Sequence, residues 1–194
     1  MTEPEGRTVV LSDDECDSLA EAAKRDSHPY LWLFVEFGLR TGMRSAEIVA
    51  ARFDQIDWDR CRLYLPRAKA GARSQPLSEG LVELLRAEQV TRPDRNGWIF
   101  PSTRTNSGHV NEVNTPFRRA VIAAGLSPDL VTPHVMRHTA ATNMVASGAP
   151  LPAVQKVTGH KTLAMLMKYT HLADRSVDVA ISALDRKPTK ANAP

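Results

Sequence analysis

Residues 132–142 read Thr-Pro-His-Val-Met-Arg-His-Thr-Ala-Ala-Thr, and the rest of the chain can be arranged around this stretch. Thr132 and Pro133 are typical of a helix N-cap and first turn, which places His134 at the start of a helix. Arg137 follows three residues later, so the two side chains project from one face. A helix N-terminus attracts phosphate through its unpaired backbone N–H groups and the helix dipole. The stretch therefore indicates phosphate chemistry.

The chain downstream of this helix adds two groups that suit the same chemistry. His160 follows Gly159 directly, and Tyr169 lies nine residues after His160. Each also has an ordinary structural explanation. His160 would serve as a helix C-terminal cap, and Tyr169 as a half-buried core aromatic.

Two basic residues upstream have equally ordinary explanations when taken alone. Arg44 follows a predicted helix exit at Gly42, where a solvated arginine or an ion pair with Glu47 is common. Lys69 lies at a predicted hairpin tip, where a lone lysine most often only keeps a sheet edge soluble. Neither residue indicates a function by itself.

Length and composition are those of one globular domain, with 194 residues, 42% hydrophobic and 24% charged. No apolar run approaches the length of a membrane span, and the acidic, polar N-terminus does not resemble a signal peptide. Cys16 and Cys61 lack metal-site spacing and fit a reducing compartment, so a cytoplasmic location is expected.

The charges are unevenly distributed along the chain. Residues 1–60 carry 7 Lys and Arg against 13 Asp and Glu, whereas residues 61–194 carry 18 against 9. A basic region behind an acidic lead fits a surface that binds a polyanion such as DNA. A basic protein with solvated charges is an equally good explanation of the charge alone.

Hydrophobic periodicity and capping signals predict a mainly helical α+β fold with a small three-stranded antiparallel sheet. Helices are predicted over about 12–25, 29–39, 45–52, 78–91, 115–124, 133–147 and 151–157, with another carrying Tyr169 and a last one over 174–184. Strands are predicted over 53–58, 61–65 and 74–77. A loop rich in Ser, Thr, Asn and Gly over 102–111 is expected to be mobile.

The whole set of residues, in this order and spacing, resembles the tyrosine recombinases, the phage-integrase family of site-specific DNA recombinases. The matching pieces are Thr-Gly-Met-Arg-Ser-Ala-Glu at 41–47, Lys69 ahead of Gly71, residues 134–142, Gly159 with His160, and Tyr-Thr-His at 169–171. The resemblance covers residues 11–184, which implies a catalytic domain over 11–186 between a linker or stub at 1–10 and a polar tail at 187–194.

The resemblance also implies a role for each matching residue. Arg44, His134, Arg137 and His160 would activate the phosphate, Lys69 would be the hairpin lysine, Tyr169 the nucleophile, and Glu47 the support of Arg44. Guanidinium groups can bind the nonbridging oxygens bidentately and keep their protons. The phenol, with a pKa of about 10, needs a base or a strong positive field, and His134 is the candidate base. Further DNA contacts are predicted at Lys69, Arg73, Arg118, Arg119 and Lys161.

The expected activity is cleavage and rejoining of double-stranded DNA through a 3′-phosphotyrosyl intermediate, with no metal, ATP or other cofactor. Two alternatives stay open: a DNA-binding protein on the same fold that does not cleave, and a relaxing enzyme like the type IB topoisomerases. Family members usually carry a further DNA-binding domain before the catalytic one, so we expect this chain to be a fragment, with a short single-domain member as the alternative. Segment 174–184 is expected to pack on its own domain or to link protomers into a tetramer on DNA.

The sequence also departs from the family pattern. Thr158 stands where leucine is usual before Gly-His, and we expect this change to spare the chemistry. The stretch between His160 and Tyr169 is more apolar than usual, and we expect its apolar face to be packed.

Overall fold

The computed structural model describes residues 9–66, 71–95 and 97–170. Lys69 at the predicted hairpin tip and the predicted segment 174–184 lie outside these ranges, as do the predicted tail at 187–194 and most of the stub at 1–10. Within them the chain is mainly helical and carries one three-stranded antiparallel sheet, which confirms the predicted fold class.

Two helices at the start of the chain follow the predicted signals closely. Helix α1 (Asp13–Arg25) begins with a capping box, in which the Glu15 backbone N–H donates to Ser12 Oγ at 3.2 Å and the Ser12 N–H donates to Glu15 Oε2 at 2.8 Å. Helix α2 (Leu31–Thr41) is buried along most of its length and ends at Gly42, whose φ is +61°. This left-handed conformation favours glycine and turns the chain towards Arg44.

The sheet follows a short helix, α3 (Ser45–Val49), which is three residues shorter than predicted. Strands β1 (Ile56–Asp57), β2 (Arg62–Leu65) and β3 (Arg73–Pro76) pair in that order, with Leu63 opposite Gln75. The predicted strand over 53–58 is wrong in its first half, because Phe53–Gln55 form a 3₁₀ turn. There the Phe53 N–H donates to the Gly97 carbonyl at 3.0 Å and so does not pair with β2.

Five helices complete the described chain. They are α4 (Glu79–Val90), α5 (Asn114–Ala123), α6 (Pro133–Ala146), α7 (Leu151–Thr158) and α8 (Ala164–Thr170). All five were predicted to within a few residues, and Thr132 is the N-cap of α6, although its side chain makes no capping hydrogen bond. Within residues 102–111, which were expected to be mobile, His109 forms a β-bridge to Pro101. None of the helices in the described ranges has the length and apolar character needed to cross a membrane.

The main core forms where α2 packs against α1 and α6. Edge-to-face contacts join Phe34 to Phe100 and Phe117, with ring centroids 6.4 Å apart in both pairs. Helices α2 and α6 approach so closely at Gly38 that a Cβ there would lie 2.5 Å from Met136 Cε. This close packing brings the end of α2 against the first turns of α6.

A second, smaller core joins α6, α7 and α8. Its buried members are Ala141, Val145, Val154, Leu166 and Tyr169. The expected packing of the apolar stretch before Tyr169 is wrong for three side chains, since Leu163, Met165 and Met167 are 42%, 48% and 49% exposed. Only one side of α8 faces this core, and that side carries Tyr169.

Candidate active site

The Arg137 guanidinium is the most deeply buried charge of the predicted set, with the residue only 2% exposed. Its Nη1 donates to the Gly42 carbonyl at 2.8 Å and also to the Thr158 carbonyl. These bonds join α6 to the left-handed exit of α2 and to the end of α7. Burial, together with the positive charge of Arg44, lowers the pKa of Arg137 to about 10, so the side chain stays charged at neutral pH.

Arg44 bonds to the next carbonyl along the chain from the one at Thr158. Its Nη2 donates to the Gly159 carbonyl at 3.0 Å, and its Nη1 donates to Glu47 Oε1 at 3.2 Å. Glu47 is 8% exposed and also accepts a hydrogen bond from Arg73 Nη2 at 2.9 Å. One buried carboxylate therefore holds two arginines, and the predicted pairing of Glu47 with Arg44 is present.

Arg73, predicted as a DNA contact, has its guanidinium turned into the protein. Besides Glu47, it donates to the Val157 carbonyl at 2.9 Å and to the Gln75 side chain. The side chain is 13% exposed. In this arrangement Arg73 fastens strand β3 to the end of α7 and has little surface left for a DNA backbone.

The Tyr169 hydroxyl bonds to His138, a residue for which no role was predicted. Its Oη lies 2.6 Å from His138 Nδ1, and the tyrosine is 0% exposed. Burial raises the pKa of Tyr169, so the phenol is neutral. Burial, and then the charge of Lys168, lowers the pKa of His138 to about 4, so this histidine is neutral too. The sequence did contain a signal for this role, because His138 lies one helical turn after His134 and therefore on the same face of the helix.

His134, the predicted base, packs against His138 with ring centroids 4.4 Å apart. Partial burial and the nearby charge of Arg137 lower the pKa of His134. Among the described residues, the Tyr169 hydroxyl makes one hydrogen bond, and its partner is His138.

His160 completes the group, with its ring centroid 6.0 Å from that of Tyr169. Its Nδ1 lies 2.6 Å from Thr158 Oγ1, and the two residues are 9% and 0% exposed. Burial, with Arg137 and Arg44 adding to it, lowers the pKa of His160 to about 3. Thr158, which we expected to spare the chemistry, thus contacts a predicted catalytic residue through its side chain.

Three further residues predicted as DNA contacts lie on the surface: Arg118, Arg119 and Lys161. Arg119 pairs with Asp26 at 2.7 Å, and Arg118 is within 3.4 Å of Asp129. Lys161 is exposed beside His160. Lys168, which was not predicted, has its Nζ 5.1 Å from the centre of the Tyr169 ring.

The cluster thus combines two arginines, three histidines and a buried phenol. Such a group can bind an anionic phosphate and stabilise negative charge on its oxygens. Because Tyr169 is fully buried, the protein must rearrange around its hydroxyl before a phosphate can reach it. Within the described ranges, no three His, Cys, Asp or Glu side chains are grouped to hold a metal ion.

Comparison with known proteins identifies the family. The model of the phage integrase family matches residues 9–176. This chain belongs to the phage integrase family. Among curated family members, the tyrosine recombinase XerD of Caulobacter vibrioides is 32% identical over 176 residues, which are 84% of this chain and 57% of that protein. The chain spans about three fifths of the length of the first curated relatives that it matches.

Solved family structures have the same fold. The XerA recombinase superposes with a TM-score of 0.72 at 26% identity, over 96% of this chain and 67% of that one. The XerH site-specific recombinase, solved in a post-cleavage complex with a palindromic difH substrate, gives a TM-score of 0.73 at 21% identity, over 93% of this chain and 54% of that one.

Proposed function

We propose that this chain carries the catalytic domain of a site-specific DNA recombinase and that Tyr169 is its nucleophile. The observation that carries the proposal is the Tyr169 hydroxyl, held 2.6 Å from a neutral histidine beside the Arg137 and His160 side chains. Family membership supports the same chemistry. A member with this fold, XerH, has been solved with its DNA substrate after cleavage, which supports double-stranded DNA as the partner.

The proposed reaction is a transesterification at one phosphodiester. Tyr169 Oη forms a bond to phosphorus as the bond from phosphorus to the 5′ oxygen breaks, leaving a 3′-phosphotyrosyl link and a free 5′-hydroxyl. Arg44 and Arg137 would neutralise the nonbridging oxygens, an effect worth about 3–4 kcal/mol per donor in comparable sites. Lys69 would give the 5′ oxygen its proton. A 5′-hydroxyl of a second strand can reverse the step without ATP, because the energy of the broken phosphodiester bond is kept in the phosphotyrosyl bond.

The phenol proton needs an acceptor, and we propose His138 for this role in place of the predicted His134. His138 contacts the Tyr169 hydroxyl directly, whereas His134 packs against the His138 ring. The phenol becomes a far stronger acid as its oxygen bonds to phosphorus. A neutral histidine in contact with it can therefore accept the proton during attack.

The DNA backbone beyond the cleaved phosphate needs further positive groups. We propose that Lys161, Arg118 and Arg119 make these contacts. The side chains of both arginines are about half exposed, and Lys161 is exposed, which supports this proposal. Arg73 we assign to holding the catalytic cluster together, because its guanidinium is bonded within the protein.

We also propose that protomers associate on DNA next to α8. Leu163, Met165 and Met167 form an exposed apolar surface there, directly before Tyr169. Protein–protein cross-linking on a DNA duplex should capture dimers or larger species that Met167→Lys weakens. A DNA-bound chain that stays monomeric at every concentration would contradict this proposal.

A cytoplasmic location is proposed too, supported by two cysteines that are both free thiols.

The decisive experiment traps the covalent intermediate. The protein is incubated with a library of nicked duplexes, in which loss of a short strand prevents religation, and is then run on a denaturing gel. We expect a DNA-linked band that is absent in Tyr169→Phe and present in Tyr64→Phe, the same change at a tyrosine that is 53% exposed. An adduct that survives in Tyr169→Phe would rule out this nucleophile.

The same assay separates the alternatives. DNA binding with no adduct on any duplex would favour the non-cleaving protein, and relaxation of supercoiled plasmid without sequence preference would favour the topoisomerase-like enzyme. Sequencing of the trapped DNA would give the target site, which base contacts in the grooves determine.

A further inference from the structure

The Thr158 hydroxyl, at the end of α7, makes two short polar contacts. Its Oγ1 donates to the Val154 carbonyl at 2.7 Å and lies 2.6 Å from His160 Nδ1. Thr158 is 0% exposed and His160 is 9% exposed, so water competes little for either group.

The number of protons decides the direction of the second contact. A threonine hydroxyl carries one proton and a carbonyl oxygen carries none to give. The Thr158 proton is used towards Val154, so the proton between Oγ1 and Nδ1 must come from His160. Neutral His160 therefore has its proton on Nδ1 and a lone pair on Nε2.

We propose that Thr158 is a positioning residue that fixes His160 in the Nδ1–H tautomer, so that Nε2 can donate to a phosphoryl oxygen only after the ring takes up a second proton. This inference rests on the proposed function and deepens it. It implies that phosphate binding at the site is coupled to proton uptake. A histidine free to choose its tautomer would donate from Nε2 while neutral and would need no proton.

The surrounding charges explain why the proton arrives with the phosphate. Among the described residues, the groups that act on the His160 ring include Arg137 and His138 from α6, Arg44 from the start of α3, and Lys168 and Tyr169 from α8. Arg73 from β3 and Lys156 from α7 line the same cavity as His160. Burial, and then the positive charges that act on the ring, lower the pKa of His160 and oppose its protonation. An anionic phosphate would offset those charges and favour the imidazolium.

Thr158 also contributes through its backbone, because its carbonyl accepts from Arg137 Nη1. One residue at the end of α7 thus contacts two predicted phosphate ligands, the arginine with its main chain and the histidine with its side chain. Leucine, which is usual at this position in the family, would keep the first contact and remove the second.

The test reads the tautomer directly in the intact chain, by long-range ¹H–¹⁵N NMR of ¹⁵N-histidine protein at pH 7.5. The His160 signals are assigned with His160→Gln. We expect the Nδ1–H pattern in the native protein and a shift of roughly fivefold or more in the tautomer ratio towards Nε2–H in Thr158→Val. Thr158→Ser restores the hydroxyl and should restore the Nδ1–H pattern.

The matched control is Thr142→Val, the same change at a buried threonine whose hydroxyl has no hydrogen-bond partner among the described residues. It should leave the His160 tautomer unchanged. An Nε2–H pattern in the native protein, or an unchanged pattern in Thr158→Val, would overturn the inference. If Thr158→Val does not fold, the native pattern and the serine variant still decide it.

The coupling is tested by adding inorganic phosphate at pH 6. In the native protein both His160 nitrogens should become protonated as phosphate is added, whereas in Thr158→Val the ring should stay singly protonated. A native His160 that stays singly protonated in phosphate would overturn the coupling. Neither measurement uses DNA, so its failure would leave the adduct experiment intact, and a missing adduct would leave the tautomer result intact.

Discussion

Replacing Glu47 with glutamine should expose how much the catalytic cluster depends on one carboxylate. Glu47 accepts hydrogen bonds from Arg73 Nη2 at 2.9 Å, Arg44 Nη1 at 3.2 Å and the Arg44 backbone N–H at 3.3 Å. The Glu47 side chain is 7% exposed, the Arg44 side chain 25% and the Arg73 side chain 13%. Glutamine keeps the shape but removes the charge, and its amide N–H₂ cannot accept from a guanidinium.

The size of the effect follows from this burial. Breaking a buried ion pair by removing one partner costs about 3–5 kcal/mol, and partial exposure of Arg44 favours the lower end, about 3 kcal/mol. For a chain of this length that loss lowers the melting temperature by about 6–12 °C. Adduct formation on nicked DNA should fall as well, because Arg44 loses the bond that orients it.

The assay is urea denaturation followed by circular dichroism, with Glu21→Gln as the matched control. Glu21 pairs with Lys24 at 2.7 Å, but the two side chains are 56% and 50% exposed. Exposed pairs contribute little to stability, so the urea midpoint of this variant should not change measurably. If Glu47→Gln is as stable as Glu21→Gln, the carboxylate does not hold the cluster as argued.

Three further predictions concern protons and salt. His138→Gln should slow adduct formation by about 10²- to 10⁴-fold, which is the usual contribution of general base catalysis. His109→Gln, a control outside the cluster, should leave the rate of adduct formation unchanged. Faster cleavage in His138→Gln would mean that the histidine only restrains the nucleophile. Burial lowers the pKa of His138 from 6.5 to about 4 in the folded protein. Between these two values the unfolded chain binds a proton at His138 and the folded protein does not. The free energy of unfolding should therefore fall as the pH falls from 6.5 towards 4. His138→Gln should flatten that part of a curve of urea midpoint against pH, and an unchanged slope would refute the neutral buried histidine. Binding to duplex DNA should weaken steeply with salt, and Lys161→Ala should reduce the slope of log K against log salt by about one; a slope equal to that of the native protein would exclude this phosphate contact.

Most of the helices could be predicted from the sequence, because the residues that start and end them lie within one turn of the helix ends. The Ser12 and Glu15 capping box and the left-handed Gly42 depend on residues within one turn. The 3₁₀ turn at Phe53–Gln55 was mistaken for strand because its backbone bonds to Gly97, which no local pattern reveals. The exposed Met165 and Met167 were expected to be packed because an apolar stretch does not say what covers it.

What the sequence by itself determined is the set of reactive groups, the helix that presents His134 and Arg137 together, and membership of a family with known chemistry. Tertiary structure alone decided the partners of those groups. Arg137 bonds to a carbonyl 95 residues away in the chain, and Arg44 to one 115 residues away. The packing of α8 on α6 selects His138 over His134 for Tyr169, and the backbone at the end of α7 places Thr158 beside His160. Both choices depend on distances of less than 3 Å between separate helices or across a helix end, and spacing along the chain does not fix those distances.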